Sequence, residues 1–164
     1  MKRALPWLLL AALAAGGGFA AYWLQPQPAE RRPDFTLHDL DGKPRAISEW
    51  DGQVVLVNFW APWCKPCREE MPMLMQLQRD LGSRGLQVLG LAIDDPEPVR
   101  RFANELRINY PVLTDLVAVL QVQEAYGDTR LPYSVLIDRQ GNIVLRKAGE
   151  LKRPEIEAHI LRLL

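Results

Sequence analysis

Asn58-Phe59-Trp60-Ala61-Pro62-Trp63-Cys64-Lys65-Pro66-Cys67-Arg68-Glu69-Glu70-Met71-Pro72 is the stretch on which the fold turns. It overlaps the end of Val54–Phe59, a continuous run of β-branched, leucine and aromatic residues that predicts a buried central strand. It leads into Cys67–Leu81, where Met71, Leu74, Leu77 and Leu81 recur at helical spacing. Both cysteines therefore fall where a strand passes into a helix. Cys64 is placed at the helix amino terminus, where unpaired backbone N–H groups and the helix dipole stabilise an anion. A free thiol titrates near ~8.5, and such a setting lowers it toward neutrality. The thiolate is the attacking species in disulfide exchange, which makes Cys64 the candidate nucleophile. Cys67 lies one turn further on, beneath Cys64, and suits the resolving thiol. Lys65 and Pro66 between them are redox-tuning candidates. The proline removes a donor from the first turn, and the lysine adds a nearby cation that points to solvent.

Outward from this core the pattern mixes strands and helices. Phe35–Leu37 and Leu40–Lys43 predict a short hairpin turning at Asp41-Gly42. Leu86–Ile93 reads as a second buried strand, Pro98–Leu106 as a helix, Tyr110–Leu113 as a short strand and Val117–Tyr126 as a helix. Tyr133–Asp138 and Asn142–Lys147 form an antiparallel pair across Arg139-Gln140-Gly141, and Lys152–Leu164 closes the chain as an amphipathic helix. This order specifies an α/β fold, a mixed sheet with helices on both faces. No glycine-rich phosphate loop follows Val54–Phe59, which removes support for nucleotide folds.

The chain has 164 residues, 48% of them hydrophobic and 24% charged, enough to bury one core without metals or disulfide staples. Cys64 and Cys67 are its only cysteines. Two cysteines this close cannot tie down a distant loop. His38 and His159 are too far off in sequence to complete a zinc site with them, so no metal is expected. With Lys2 and Arg3 set aside, the 20 basic and 20 acidic residues leave a net charge of about −2. That balance gives no footprint for nucleic acid.

Residues Ala4–Leu24 carry no charge and, as a helix rising ~1.5 Å per residue, would span ~31 Å. Lys2 and Arg3 precede them, which predicts a cytoplasmic amino terminus. The preferred reading is an uncleaved transmembrane anchor over residues 1–24. The other is a signal peptide cleaved near Ala12-Leu13-Ala14. Both put the remainder outside the cytoplasm, in the periplasm of a cell with two membranes. Gln25–Pro33, rich in proline, reads as an extended linker, leaving 34–164 as the folded domain.

The string Phe59-Trp60-Ala61-Pro62-Trp63-Cys64-Lys65-Pro66-Cys67 resembles the active-site segment of the thioredoxin superfamily. Its continuation Arg68-Glu69-Glu70-Met71-Pro72 resembles the membrane-anchored TlpA/ResA/CcmG-like branch. Pro33-Asp34-Phe35-Thr36-Leu37, Tyr126-Gly127 through Leu131-Pro132, and Leu136-Ile137-Asp138-Arg139-Gln140-Gly141 support it in the right order. The resemblance implies a thioredoxin-like fold with a central insertion over Asp94–Leu120. It implies that Pro132 is a cis-proline facing the cysteines and that the backbone of Leu131 pairs with a substrate strand. Trp63 would cover the disulfide and contact the partner, whereas Trp60 would be packing. Tyr133-Ser134 departs from the residues common after that proline. Asn58 stands where cytoplasmic relatives carry a buried aspartate, and Glu70 is the branch's glutamate three residues after the second cysteine. A carboxyl buried there could manage the proton of Cys67. The function so implied is an extracytoplasmic thiol–disulfide oxidoreductase that reduces disulfides of partner proteins. It would work as a monomer, with electrons from a membrane thiol donor, and with no cofactor beyond the redox-active Cys64–Cys67 disulfide. Cytochrome c haem-attachment cysteines and copper-site cysteines are the targets such proteins serve. The alternatives are an oxidase that introduces disulfides and, further off, a copper-delivery module, whose cysteine spacing and downstream histidine this chain lacks.

Overall fold

The computed structural model describes residues 29–164. The expected anchor, Ala4–Leu24, lies outside the described residues. Among those described, no helix is long and apolar enough to cross a membrane. Seven strands form one sheet in the order β2-β1-β5-β4-β3-β6-β7. They are β1 (Thr36–Asp39), β2 (Pro44–Ala46), β3 (Val54–Trp60), β4 (Leu86–Ala92), β5 (Val112–Thr114), β6 (Tyr133–Ile137) and β7 (Ile143–Ala148). Among the described residues, four α-helices, α1 (Lys65–Leu81), α2 (Pro96–Leu106), α3 (Leu116–Ala125) and α4 (Arg153–Leu163), cover it.

β3, β4 and β5 run parallel, and β6 lies antiparallel to β3. All seven residues of β3 are buried, because both faces of the sheet are covered. Its alternation splits the core in two. Val54, Leu56 and Trp60 pack with Met71, Leu74 and Leu77 of α1, Val99 of α2 and Ile156 and Ile160 of α4. Val55, Val57 and Phe59 pack on the other face with Val119 of α3, Ile47, Trp50 and Tyr126. The expected mixed sheet with helices on both faces is thus present.

Several boundaries move, each for a local reason. The hairpin turns at Asp41-Gly42 as expected, and its second strand begins just after Leu40–Lys43, at Pro44. The Asp39 carboxylate accepts from the backbone N–H of Asp41 and Lys43, both at 2.9 Å, so the turn starts at Asp39 and pairing resumes at Pro44. Gly42 takes the left-handed conformation this turn needs, with φ 78°. α1 starts at Lys65 rather than Cys67, since Pro66 is tolerated in a first turn. α2 starts at Pro96 rather than Pro98 for the same reason. β5 is shifted to Val112–Thr114, with Tyr110 turned into the core. The stretch read as a central insertion holds α2, β5 and the start of α3.

The end of the expected linker is held against the domain. Arg31 bridges Asn142, Ile143 N–H donates to Glu30 O at 2.7 Å, and Arg32 N–H donates to Gly141 O at 2.9 Å. Arg32 also pairs with Asp34 and Asp51 at 2.6 and 2.7 Å. The folded unit therefore includes Glu30–Pro33.

Candidate active site

The carboxyl ends of the parallel strands form one rim of the sheet. β3 reaches that rim at Trp60, and a turn closed by Cys64 N–H donating to Ala61 O delivers the chain to α1. Cys64 is the N-cap residue, with extended backbone. Its Sγ is bonded to that of Cys67 and also accepts the Cys67 backbone N–H at 3.3 Å. When the disulfide opens, that donor already faces the Cys64 sulfur, together with the amino end of a helix of 17 residues. The two cysteines are both buried but not equally. Cys64 retains 6% exposure and Cys67 none.

Pro66 sits in the first turn, as expected. Lys65 is exposed and pairs with Glu69 at 3.3 Å. Trp63 is 66% exposed beside Cys64, whereas Trp60 is fully buried and tilted against Phe102. The Leu131–Pro132 peptide bond is cis. β6 begins opposite Phe59, so this peptide lies at the same rim as Cys64. Leu131 packs against both apolar clusters, including the one that holds the two cysteines.

Below the cysteines lies a buried polar row. Asn58 of β3 stands opposite Ser134 of β6, and its Nδ2 donates to Ser134 Oγ at 3.0 Å and to Glu70 Oε1 at 2.7 Å. The other carboxyl oxygen of Glu70 accepts the Leu151 N–H at 2.9 Å. Glu70 is one turn beyond Cys67 on the same face of α1, which brings their Cβ atoms to about 5–6 Å. It is 1% exposed. Burial away from water pushes its carboxyl up to about 7, against the pull of the Leu151 and Asn58 donors, with Glu150 adding a smaller upward push. A carboxyl that titrates near neutrality can both accept and return a proton.

Gly90 of β4 faces Asn58 in the neighbouring strand. A Cβ there would lie 2.9 Å from Trp60 Nε1 and 3.1 Å from Tyr110 Cε2, so the glycine admits the two rings that wall this row. Burial pushes the Tyr110 hydroxyl up, with a smaller push from Glu70.

Of the residues the sequence singled out, Cys64, Cys67, Trp63, Leu131 and Pro132 lie at one rim, with Glu70 buried one turn below the cysteines. Sequence reasoning did not find Leu151 or the partnership of Ser134 with Asn58. Only the lone Asn in an apolar strand signalled that a polar partner must exist. Among the described residues, no three of His, Cys, Asp or Glu come together to hold a metal ion.

The sequence model of the Redoxin family matches residues 27–160, nearly the whole described chain. The chain belongs to the Redoxin family. This Redoxin is 33% identical over 129 residues to the thiol-disulfide oxidoreductase ResA of Geobacillus thermodenitrificans, covering 78% of this chain and 73% of that protein. It is 31% identical over 147 residues to ResA of Bacillus thuringiensis (strain Al Hakam), covering 89% and 84%. A crystal structure of a thiol:disulfide interchange protein of the thioredoxin family from Chlorobium tepidum superposes with a TM-score of 0.77 at 28% identity, covering 85% of this chain and 99% of that one. The Redoxin fold here is thioredoxin-like, and its chemistry is thiol–disulfide exchange of the protein-disulfide reductase kind, at the Cys64–Cys67 pair.

Proposed function

We propose that this protein reduces disulfides of specific extracytoplasmic proteins, with Cys64 as nucleophile, Cys67 as resolving thiol and Glu70 as the proton acceptor for Cys67. In the reduced protein the Cys64 thiolate attacks one sulfur of a target disulfide. A mixed disulfide forms, and the target's other sulfur leaves as a thiolate. Cys67 then attacks Cys64 Sγ. Its proton goes to the Glu70 carboxylate, the buried acid one turn further along the same helix face, and the second target sulfur is released. The target gains two electrons and the protein is left as the Cys64–Cys67 disulfide. A thiol donor must return those electrons, and its class is a membrane dithiol carrier.

The observation that carries this reading is a disulfide whose first cysteine caps a helix and whose second is fully buried, one turn from a buried carboxyl. Trp63 and the Leu131 backbone flank Cys64 and serve as the contact for an extended target segment. Location outside the cytoplasm rests on the apolar run Ala4–Leu24 after Lys2 and Arg3. Haem-attachment and copper-site cysteines of secreted respiratory proteins are the targets proposed.

Equilibration with glutathione tests the direction. A reductase is expected to have a potential below about −200 mV, and a value near −120 mV would assign the protein as an oxidase instead.

A further inference from the structure

Gln123 is fully buried on α3, the helix that also supplies Val119 to the core, yet it is an amide. Its Nε2 donates to the carbonyl of Arg130 at 2.8 Å. Its Oε1 has no partner among the described residues. An apolar side chain of the same length would fill this space without leaving an orphan acceptor. What the amide uniquely supplies is the grip on Arg130 O.

That carbonyl is the back of a planar amide whose front is the Leu131 N–H, and in a trans amide the two point in opposite directions. Drawing Arg130 O inward to Gln123 turns the Leu131 N–H outward. The neighbouring groups are also held. Arg130 N–H donates to Asp128 Oδ1 at 2.8 Å, and Gly149 N–H donates to Pro132 O at 2.8 Å. Among the described residues, neither the N–H nor the C=O of Leu131 has a protein partner. The loop is fixed on both sides of one residue, and that residue's backbone is left unpaired at the rim where Cys64 lies.

We propose that Gln123, with Asp128, positions the substrate-pairing backbone: it clamps the Arg130 carbonyl so that the N–H and C=O of Leu131 are presented to an incoming target strand. This rests on the reading that Leu131 pairs with the target. Neither residue touches the reacting sulfurs, so the consequence falls on recognition and not on exchange itself.

The test uses a disulfide-bearing peptide, a series of its backbone N-methylated forms, and a small soluble disulfide that makes no strand contacts. In the unaltered protein, N-methylation beside the reducible cysteine is expected to raise KM. Gln123→Met is expected to raise KM for the unmodified peptide about three- to tenfold, the range of one lost hydrogen bond. It is expected to shrink the penalty of N-methylation and to leave kcat and the small-disulfide rate unchanged. Asp128→Ala, in a surface loop that does not build the core, is expected to act in the same direction and stands in if Gln123→Met does not fold. If N-methylation has no effect on the unaltered protein, the Leu131 reading fails and this inference with it. If N-methylation matters but neither substitution moves KM, the positioning role alone is overturned. Equal slowing of the small disulfide would place the effect on the cysteines and also overturn it.

Discussion

Glu70→Gln isolates what a buried carboxyl does to the stability of this fold. The side chain is 1% exposed and titrates at about 7, against 4.5 for a free glutamate. Below pH 4.5 the carboxyl is protonated whether the chain is folded or not, and it contributes nothing. As pH rises the unfolded chain ionises first, so unfolding is increasingly favoured until the folded form ionises too, near 7. At about 1.4 kcal/mol per pH unit, that difference destabilises the folded protein by on the order of 3 kcal/mol at pH 8. Glutamine removes this pH-linked loss. Its amide also fits. Rotating the Asn58 amide by a half-turn lets Oδ1, which has no partner now, accept from the new Nε2. The Ser134 hydroxyl can then donate to that same Oδ1, and the glutamine oxygen keeps the Leu151 N–H. The assay is urea unfolding of the oxidised protein and of Glu70→Gln at pH 4.5, 6 and 8. The variant is expected to match the parent at pH 4.5 and to exceed it by about 3 kcal/mol at pH 8, a midpoint gap of roughly 1–2 M. Parallel pH profiles would refute the argument, because they would mean that Glu70 titrates alike in both states.

Cys67→Ala is expected to retain targets as mixed disulfides on Cys64, visible as adducts on non-reducing gels, whereas Cys64→Ala should retain none. Gly90→Ala brings a Cβ within 2.9 Å of Trp60 Nε1 and 3.1 Å of Tyr110, both fixed in the core, and should lower stability by about 1–3 kcal/mol in urea unfolding. Trp63→Ala, at a side chain 66% exposed, should leave stability within about 0.5 kcal/mol while raising KM for protein disulfides. The rate with a small disulfide should not change in that variant.

The central strands and α1 were legible because burial on both faces leaves a nearly continuous apolar run, broken in β3 only by Asn58, and burial on one face of a helix leaves a spacing of three and four. The first hairpin's turn was legible at Asp41-Gly42, but the start of its second strand was not, because the Asp39 carboxylate captures the Asp41 and Lys43 backbone donors and the strand begins at Pro44. The starts of α1 and α2 lay ambiguous between positions that a proline tolerates equally. At the site, Cys64 and Cys67 announce themselves by residue type and their place between strand and helix, whereas Glu70 was legible only through the family resemblance. Leu151 could not, since it acts through a backbone N–H 81 residues from Glu70 and any residue could supply that donor. Ser134 read only as a departure from its relatives, because its partnership with Asn58 depends on strand register. Gln123 drew no reading, since it is one of three polar residues in its helix and nothing in the string points to Arg130 seven residues on.

The complete burial of Cys67, against the slight exposure of Cys64, fixes the order of traffic. Because Cys67 is sealed, electrons enter and leave through a single doorway at Cys64, and the donor and the target must occupy it in turn. No ternary assembly can pass electrons straight through. Steady-state rates should therefore give parallel double-reciprocal lines, and an excess of either party should shut out the other.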